Sequence, residues 1–170
     1  DIRIFPKYDD AEIIKVGNPS LRPQFTNSLE LGYKKSWSEG YFYSAVYHRI
    51  SEGTITRISS IIPGSTLIYA VFQNAGKSYN SGLELVLSQK MNKWYSFNLN
   101  LNAYRNQIDA FTTVNKYPVE TVYSSTTQDI LSGSLKLNNQ FSIRNNFEGQ
   151  ITAIYLAPDI LPQGKIAQRF

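Results

Sequence analysis

The sequence predicts an all-β protein, an antiparallel up-and-down meander of about six to seven long strands. Apolar and polar residues alternate with a period of two over runs of about ten to fourteen residues, and helical periodicity is hard to find. Turn signals separate these runs. Aromatic residues make up 14 % of the chain, whereas charged residues make up 18 %, below the roughly 25 % usual in soluble domains. This balance is typical of β-rich proteins.

The alternation predicts six strands, at about 25–37, 41–50, 66–90, 94–105, 127–142 and 147–156. The fourth is the clearest, because Phe97, Leu99 and Leu101 share one face and Asn98 and Asn100 share the other. The second is so rich in aromatic residues that either of its faces could be the apolar one. A further strand is expected to begin as the chain ends.

The predicted connections alternate in length, with short turns near 38–40, 91–93 and 143–146 and long loops near 51–65 and 106–126. Transmembrane barrels of the outer membrane show this asymmetry, because their periplasmic turns are short and their extracellular loops longer. The runs also exceed the usual strand length of about 5–6 residues in soluble proteins and match the roughly 9–11 that cross a bilayer at a tilt. The pattern therefore favours a transmembrane barrel.

Aromatic residues lie close to two of the short turns. Trp37 and Tyr41 flank the first, and Trp94 and Tyr95 follow the second. In a barrel they would form a girdle at the membrane interface, whereas in a soluble protein they would pack a core. A soluble β-sandwich that binds or adheres at the cell surface therefore remains an alternative. A complete small eight-stranded barrel is a third, which the strand count disfavours.

Composition excludes several other classes of protein. No stretch of about 18 apolar residues occurs, so a transmembrane helix is excluded. The chain has no Cys, which rules out disulfides, thiolate metal sites and a Cys nucleophile. The net charge of +4 comes from scattered Lys and Arg, without the clustering typical of a nucleic-acid interface. We expect no nucleic-acid partner.

Candidate catalytic and cofactor motifs are incomplete. Gly76-Lys77-Ser78 resembles the end of a phosphate-binding loop, but position 71 is Val where that motif needs Gly. His48 is the only His and has no hydrolase elbow nearby. Asp9, Asp10 and Glu12 lack the spacing of a calcium loop. The sequence therefore predicts no catalytic, cofactor-binding or metal-binding residues, and a protein that is not an enzyme.

Three stretches resemble one family when taken together. Residues 16–33 (VGNPSLRPQFTNSLELGY) are similar to the "GNP-x-L-x-P-E … E-x-G-Y" segment late in the barrel of TonB-dependent outer-membrane receptors, with Gln24 in place of the usual Glu. Residues 74–85 (NAGKSYNSGLEL) resemble their "N-x-G-x-x-x-x-x-G-x-E-L" strand. Residues 155–164 (YLAPDILPQG) resemble the "Y-x-x-P … P-Q-G" passage of the Bacteroidetes-type members.

The resemblance implies a particular architecture. The family has an N-terminal plug domain and about twenty-two strands, so residues 1–170 are expected to be a single piece of the C-terminal barrel region, a fragment of a large transmembrane β-barrel. Residues 1–24 would be an extracellular loop that leads into the first strand, and 158–170 a loop and the start of the next strand. The side chains expected to face lipid are Phe25, Leu29, Leu31 and Tyr33, and those expected to face the lumen are Glu30 and Lys34.

The resemblance also implies a function. It predicts a segment of a Gram-negative outer-membrane transporter that imports a bulky nutrient, such as a siderophore or an oligosaccharide, with TonB-type energy coupling through a plug domain absent here. Its partners would be the outer-membrane lipid bilayer and an unknown nutrient, and an isolated fragment would self-associate. Ligand contacts are expected in the loops near 51–65, 106–126 and 157–166, at Arg57, Tyr69, Tyr117 and Tyr123.

Overall fold

The computed structural model describes residues 7–8, 13–61, 64, 66–116, 120–143, 147–161 and 163–169. Among these residues no helix occurs, and hence none long and apolar enough to cross a membrane. The strands are β1 Lys7–Tyr8, β2 Ile13–Val16, β3 Phe25–Trp37, β4 Gly40–Glu52, β5 Ile55–Ile61, β6 Ile68–Asn74, β7 Ser78–Lys90, β8 Tyr95–Ile108, β9 Phe111–Asn115, β10 Thr121–Ser125, β11 Gln128–Ile143, β12 Phe147–Leu156, β13 Asp159–Leu161 and β14 Gly164–Ile166.

Six long strands form one sheet in the order β12-β11-β8-β7-β4-β3. Each long strand therefore neighbours the long strand that comes before or after it in the chain. The backbone N–H of Lys90 donates to the carbonyl of Glu39, and that of Ser142 donates to the carbonyl of Trp94. These bonds show that the short connections lie at the same end of the strands. The all-β, antiparallel meander predicted from the sequence is confirmed.

The segments expected to be long loops contain strands of their own. β5 lies within 51–65, and β9 and β10 lie within 106–126. The third predicted strand, 66–90, divides into β6 and β7 on either side of Ala75–Lys77. Backbone bonds redirect the chain there, because the N–H of Ala75 donates to Thr54 and that of Asp109 donates to the carbonyl of Lys77.

The first two short turns connect β3 to β4 and β7 to β8. β3 ends at Trp37 and β4 begins at Gly40, while the N–H of Met91 donates to the carbonyl of Tyr95 in the second turn. Residues 144–146 of the third turn lie outside the described residues. The N-terminal segment 1–24, predicted to be a loop, contains β1 and β2.

The chain forms two compact units. The loop unit comprises Asp1–Asn27, Ile50–Ser78 and Gln107–Gln128, and the strand unit comprises Ser28–Arg49, Tyr79–Asn106 and Asp129–Phe170. The loop unit thus contains the N-terminal segment and the two connections that join β4 to β7 and β8 to β11. The strand unit contains most of each long strand.

The loop unit has a small apolar core. Its four-stranded sheet has the order β1-β2-β6-β5, in which β2 runs parallel to β6 and β5 antiparallel to it. Ile14, Val16 and Val71 form a buried cluster, and Tyr69 packs against it. Ile58 is buried as well. This burial gives the connections a fixed structure, since each apolar side chain removed from water stabilises the fold.

In the strand unit the two faces of the sheet differ in chemistry as the sequence predicts. The register pairs Leu135 with Tyr155 on one face and Asn138 with Thr152 on the other. The apolar face carries the odd-numbered residues of β3, β7, β8, β11 and β12 and the even-numbered residues of β4. The polar face carries the remaining residues. Phe42 and Val46 of β4 therefore lie on the apolar face, and its tyrosines lie on the polar face.

Burial in the strand unit is the inverse of that in a soluble protein. Leu31 is 75 % exposed, and Leu131 is 79 % exposed, although both lie on the apolar face. Among the described strand-unit residues of the six long strands, the buried ones are Ala45, Tyr47 and Ser132, and all three lie on the polar face. A β-sandwich would bury its apolar face against a second sheet. The exposed apolar face instead matches a surface that meets lipid.

Two tyrosines on the polar face lie over glycines of neighbouring strands. A Cβ on Gly32 would come within 3.1 Å of the Tyr43 hydroxyl, and a Cβ on Gly82 within 2.5 Å of the Tyr47 hydroxyl. The Tyr47 hydroxyl also donates to Oδ1 of Asn102 at 3.1 Å. The Gly82 position therefore makes room for a ring that connects β4 to β8 across β7.

Aromatic side chains gather on the apolar face beside the second short turn. The rings of Tyr95 and Phe141 stack with centroids 5.1 Å apart, and those of Trp94 and Phe141 stack at 6.4 Å. Trp37, by the first turn, donates its indole N–H to Gln89 at 2.9 Å. Rings with a polar edge, placed at the ends of strands, suit a membrane interface.

The end of the chain folds back onto the polar face. The hairpin β13–β14 is held by Asp159, which accepts hydrogen bonds from Tyr104 at 2.7 Å and from Asn106 at 3.2 Å. After the hairpin, Leu156 pairs with Arg169 in an antiparallel bridge. Residues 158–170, predicted to be a loop and the start of a further strand, thus contain a hairpin and a single bridge to β12.

Candidate functional site

The loop unit contains a pocket of about 1030 Å³. Four segments of the chain line it: the stretch from Val16 to Phe25, the end of β4 at Glu52 and Gly53, the end of β6, and β9 with the residue that follows it. Each of these segments precedes or follows a long strand. The pocket is therefore assembled from segments that lead into or out of the long strands. Two of them, at Glu52 and Gly53 and at β9, lie in the loops near 51–65 and 106–126 where ligand contacts are expected, whereas the other two lie outside those loops.

A chain of three side-chain amides lies beside the pocket. Nδ2 of Asn18 donates to Oε1 of Gln73 at 2.9 Å, and Nε2 of Gln73 donates to Oδ1 of Asn115 at 2.6 Å. Asn18 also donates to the carbonyl of Phe72 at 3.0 Å. Asn115 is 1 % exposed, and its Nδ2 has no partner among the described residues. This amide chain connects three segments that are far apart in sequence.

Asn74 fixes another wall of the pocket. Its Oδ1 accepts from the backbone N–H of Arg22 at 2.8 Å, and its Nδ2 donates to the carbonyl of Arg22 at 2.9 Å. The same Nδ2 donates to the carbonyl of Gly53 at 2.8 Å. The side chain therefore pairs with a backbone as a neighbouring strand would. Gly53 has φ of 64°, a conformation that glycine adopts without strain.

The charged groups of the pocket are mainly basic. Arg22 and Lys116 line it, and neither has an ion pair among the described residues. Among the described residues of the lining, Glu52 is the single carboxylate, and its Oε1 lies 2.6 Å from Nζ of Lys77. The apolar part of the lining includes Val114, which is 39 % exposed.

We expect Gln73→Leu to destabilise the loop unit by about 2–3 kcal/mol, because it leaves the amides of Asn18 and Asn115 without their partner in a place with little water. The measurement is amide hydrogen exchange of β6 and β9, which should become faster. The matched control is Gln150→Leu, since Gln150 bonds Asn138 on an exposed surface and should change exchange little. Equal effects from the two variants would contradict a structural role for the amide chain.

The residues predicted to contact ligand have different surroundings. Arg57 lies on β5, opposite Phe72 in the register. Tyr69 packs against the buried cluster of the loop unit. Tyr123 on β10 packs on Phe111, with ring centroids 5.9 Å apart. These three are absent from the lining of the pocket, and Tyr117 lies outside the described residues. A ligand role for them stays a prediction.

His48 and the acidic side chains are the groups weighed as catalytic or metal-binding residues. His48 lies on the apolar face, with its Nδ1 2.7 Å from the hydroxyl of Ser81. Within the described part of the chain, no group of three or more His, Cys, Asp or Glu side chains could hold a metal ion. Asp9, Asp10 and Glu12 lie outside that part.

Sequence reasoning missed Arg22, Lys116 and the amide chain. The side chains that form this pocket come from segments more than 40 residues apart, as the hydrogen bonds of Gln73 to Asn18 and Asn115 illustrate. The one local signal was the Gly17-Asn18-Pro19 turn, which marks a fixed backbone but gives no indication of its partners.

The comparison with known families agrees with the exposed apolar face and the long meander. A family model described as "Outer membrane protein beta-barrel family" matches residues 1–170. No curated protein matches the chain. The family places the protein in the outer membrane, which confirms the location expected from the sequence. With a match over its whole length, the chain belongs to the outer membrane protein beta-barrel family.

Proposed function

We propose that the chain is a barrel segment of a TonB-dependent transporter, of the Bacteroidetes type, that imports a bulky nutrient such as a siderophore or an oligosaccharide. The observation that carries the proposal is the combination of an exposed apolar face with a polar face on which Tyr47 is buried. A transporter needs a wall with these two properties, because solute must pass a wet lumen while the outside meets hydrocarbon.

The position of the pocket in the sequence supports the same proposal. If the short turns are periplasmic, the connections that build the loop unit are extracellular. A nutrient that arrives from outside the cell would reach such a pocket before it reaches the lumen. The role is non-enzymatic transport: the bilayer and a plug domain would be the partners, and TonB-type coupling would supply the energy. A six-stranded sheet with open edges at β3 and β12 would also lead an isolated segment to self-associate.

Uptake by living cells tests this function. The gene is expected to confer accumulation of its nutrient only when the inner-membrane proton gradient is intact. Removal of the gradient with a protonophore should abolish accumulation while surface binding persists. Because the nutrient is unidentified, the screen would use radiolabelled ferric siderophores and oligosaccharides in a deletion strain with and without the gene. Accumulation that persists without the gradient would contradict energy-coupled import.

Tyr117→Ala is expected to weaken binding of the transported nutrient in the same cells, because an aromatic loop side chain offers a large contact area at low entropic cost. Binding is measured on whole cells with the gradient removed. Tyr123→Ala is a useful comparison, since its ring already packs on Phe111. Unchanged affinity in Tyr117→Ala would remove this residue from the ligand site.

A further inference from the structure

Arg22 and Lys116, the two pocket cations without an ion pair in the described part of the chain, are held by rigid parts of the backbone. The N–H and carbonyl of Arg22 are both bonded by the side chain of Asn74, at 2.8 and 2.9 Å. Lys116 directly follows Asn115, whose buried side chain is bonded by Gln73 at 2.6 Å. The points from which both cationic side chains extend are therefore fixed before any ligand arrives. Such preorganisation lowers the entropy lost on binding.

The remaining polar groups of the pocket are largely used within the protein. The amides of Asn18, Gln73 and Asn74 bond one another or the backbone, as described above. Thr112 shares a hydrogen bond with Ser124 at 3.0 Å. A neutral polyol, which is recognised through many free amides and hydroxyls, would thus find few partners. An anion would find two cations, since charged hydrogen bonds are stronger than neutral ones.

The one carboxylate among the described lining residues does not cancel this charge. Glu52 is engaged by Lys77 at 2.6 Å, so the pair is close to neutral and Arg22 and Lys116 leave the pocket positive. The lining also offers apolar surface at Pro23 and Val114, the latter 39 % exposed. An occupant with an apolar body would cover this surface and gain the free energy of burial.

We propose that the pocket of the loop unit binds a soluble organic anion, one that carries carboxylate or phosphate groups on an apolar body, through Arg22 and Lys116. The inference deepens the proposed transport function, on which it rests for the meaning of the site, by naming the class of solute. The volume of about 1030 Å³ accommodates a molecule of several hundred daltons.

The test uses 1-naphthyl phosphate as the anionic probe and 1-naphthol as its uncharged counterpart. Binding is measured by isothermal titration to the complete gene product, purified in dodecyl maltoside. We expect 1-naphthyl phosphate to bind, and the double variant R22Q/K116Q to bind it roughly tenfold more weakly or worse, because two charged hydrogen bonds are lost. Affinity should also fall as salt rises, since exposed charges are screened. Binding of 1-naphthol should be the same in both proteins.

The matched control is K35Q/K165Q, which removes the same net charge at two exposed lysines outside the pocket lining. It should leave the affinity for 1-naphthyl phosphate unchanged. An equal loss in this control would show that bulk charge alone attracts the probe, and would overturn the proposal. So would equal binding by R22Q/K116Q, or failure of the natural protein to bind the anion more tightly than 1-naphthol.

Two further points distinguish a site for soluble anions from a lipopolysaccharide site, and anion binding from energy-coupled uptake. Lipopolysaccharide also carries phosphates on an apolar body, so added lipopolysaccharide that displaces the probe would overturn a site for soluble anions. Binding in detergent requires no energy coupling, and its result is therefore independent of the uptake experiment. Folding of each variant is checked by the heat-dependent shift of the barrel band on gels, and the single variants R22Q and K116Q replace the double variant if it fails to fold.

Discussion

Leu135→Arg is expected to lower the free energy of unfolding in a bilayer by about 2–4 kcal/mol, which is the effect of an arginine placed on the lipid face of a barrel near the midplane. Leu135 lies near the middle of the 16-residue strand β11, on the apolar face opposite Tyr155. A guanidinium there would have to leave water or distort the bilayer. Its partner in the register on β12 is Tyr155, which offers no carboxylate to a guanidinium.

The matched variant is Ser134→Arg, one residue away at the same depth and on the polar face, opposite Leu156. There the guanidinium can remain in water, and we expect a change of less than about 1 kcal/mol. Both variants of the complete gene product are unfolded with urea in dilauroylphosphatidylcholine vesicles and followed by tryptophan fluorescence. Equal destabilisation by the two arginines would mean that the faces do not differ in their contact with lipid.

Gly82→Val is expected to destabilise the folded protein by about 3 kcal/mol, because a side chain there has no free volume. A Cβ would lie 2.5 Å from the hydroxyl oxygen of Tyr47 and 2.9 Å from the carbonyl oxygen of Ala103. Tyr47 cannot withdraw freely, since it is 8 % exposed, bonds Asn102, and carries the Arg49 guanidinium 4.4 Å from its ring centroid. The Ala103 carbonyl belongs to a paired strand and is even less free to move.

Two further variants test whether the loss of stability comes from the contacts at Gly82. Gly149→Val should be close to neutral, because a Cβ at Gly149 would meet no heavy atom of the described residues within 4 Å beyond its two chain neighbours, and would lie on the apolar face. Tyr47→Ala combined with Gly82→Val should recover part, but not all, of the loss, since the clash with the Ala103 carbonyl remains. The measurement is the same urea titration. Additive effects of the two changes would show that the ring does not occupy the glycine position.

The long strands could be predicted from the sequence because their information is local. In β8 the alternation of Leu99 and Leu101 with Asn98 and Asn100 gives both the conformation and the face of each residue. The first turn could be predicted as well, since Gly40 follows the polar residues Ser38 and Glu39. For β4, aromatic residues occupy both faces, so the polar face could be assigned only from contacts such as that between Tyr43 and Glu30 at 3.1 Å.

The loop unit could not be predicted in the same way. Its strands are 2–7 residues long, too short for alternation to be distinguished from irregular chain. β2 pairs in parallel with β6, which lies more than 50 residues later, and no local pattern specifies such a partner. The amide chain has the same origin, because Asn18, Gln73 and Asn115 become neighbours only when three segments meet. Arg57 and Tyr69 were chosen by residue type, which does not reveal packing.

A transmembrane wall requires that one face of the long strands meets lipid and the other meets water. The 170-residue chain contains no Cys, so single cysteines can be placed at positions 97–102 of β8, with any cysteines elsewhere in the complete gene product replaced. Each is labelled with bimane in reconstituted vesicles. Quenching by doxyl lipids should be strong at positions 97, 99 and 101, and quenching by iodide strong at 98, 100 and 102. Equal quenching at neighbouring positions, or the reverse order, would contradict a transmembrane wall.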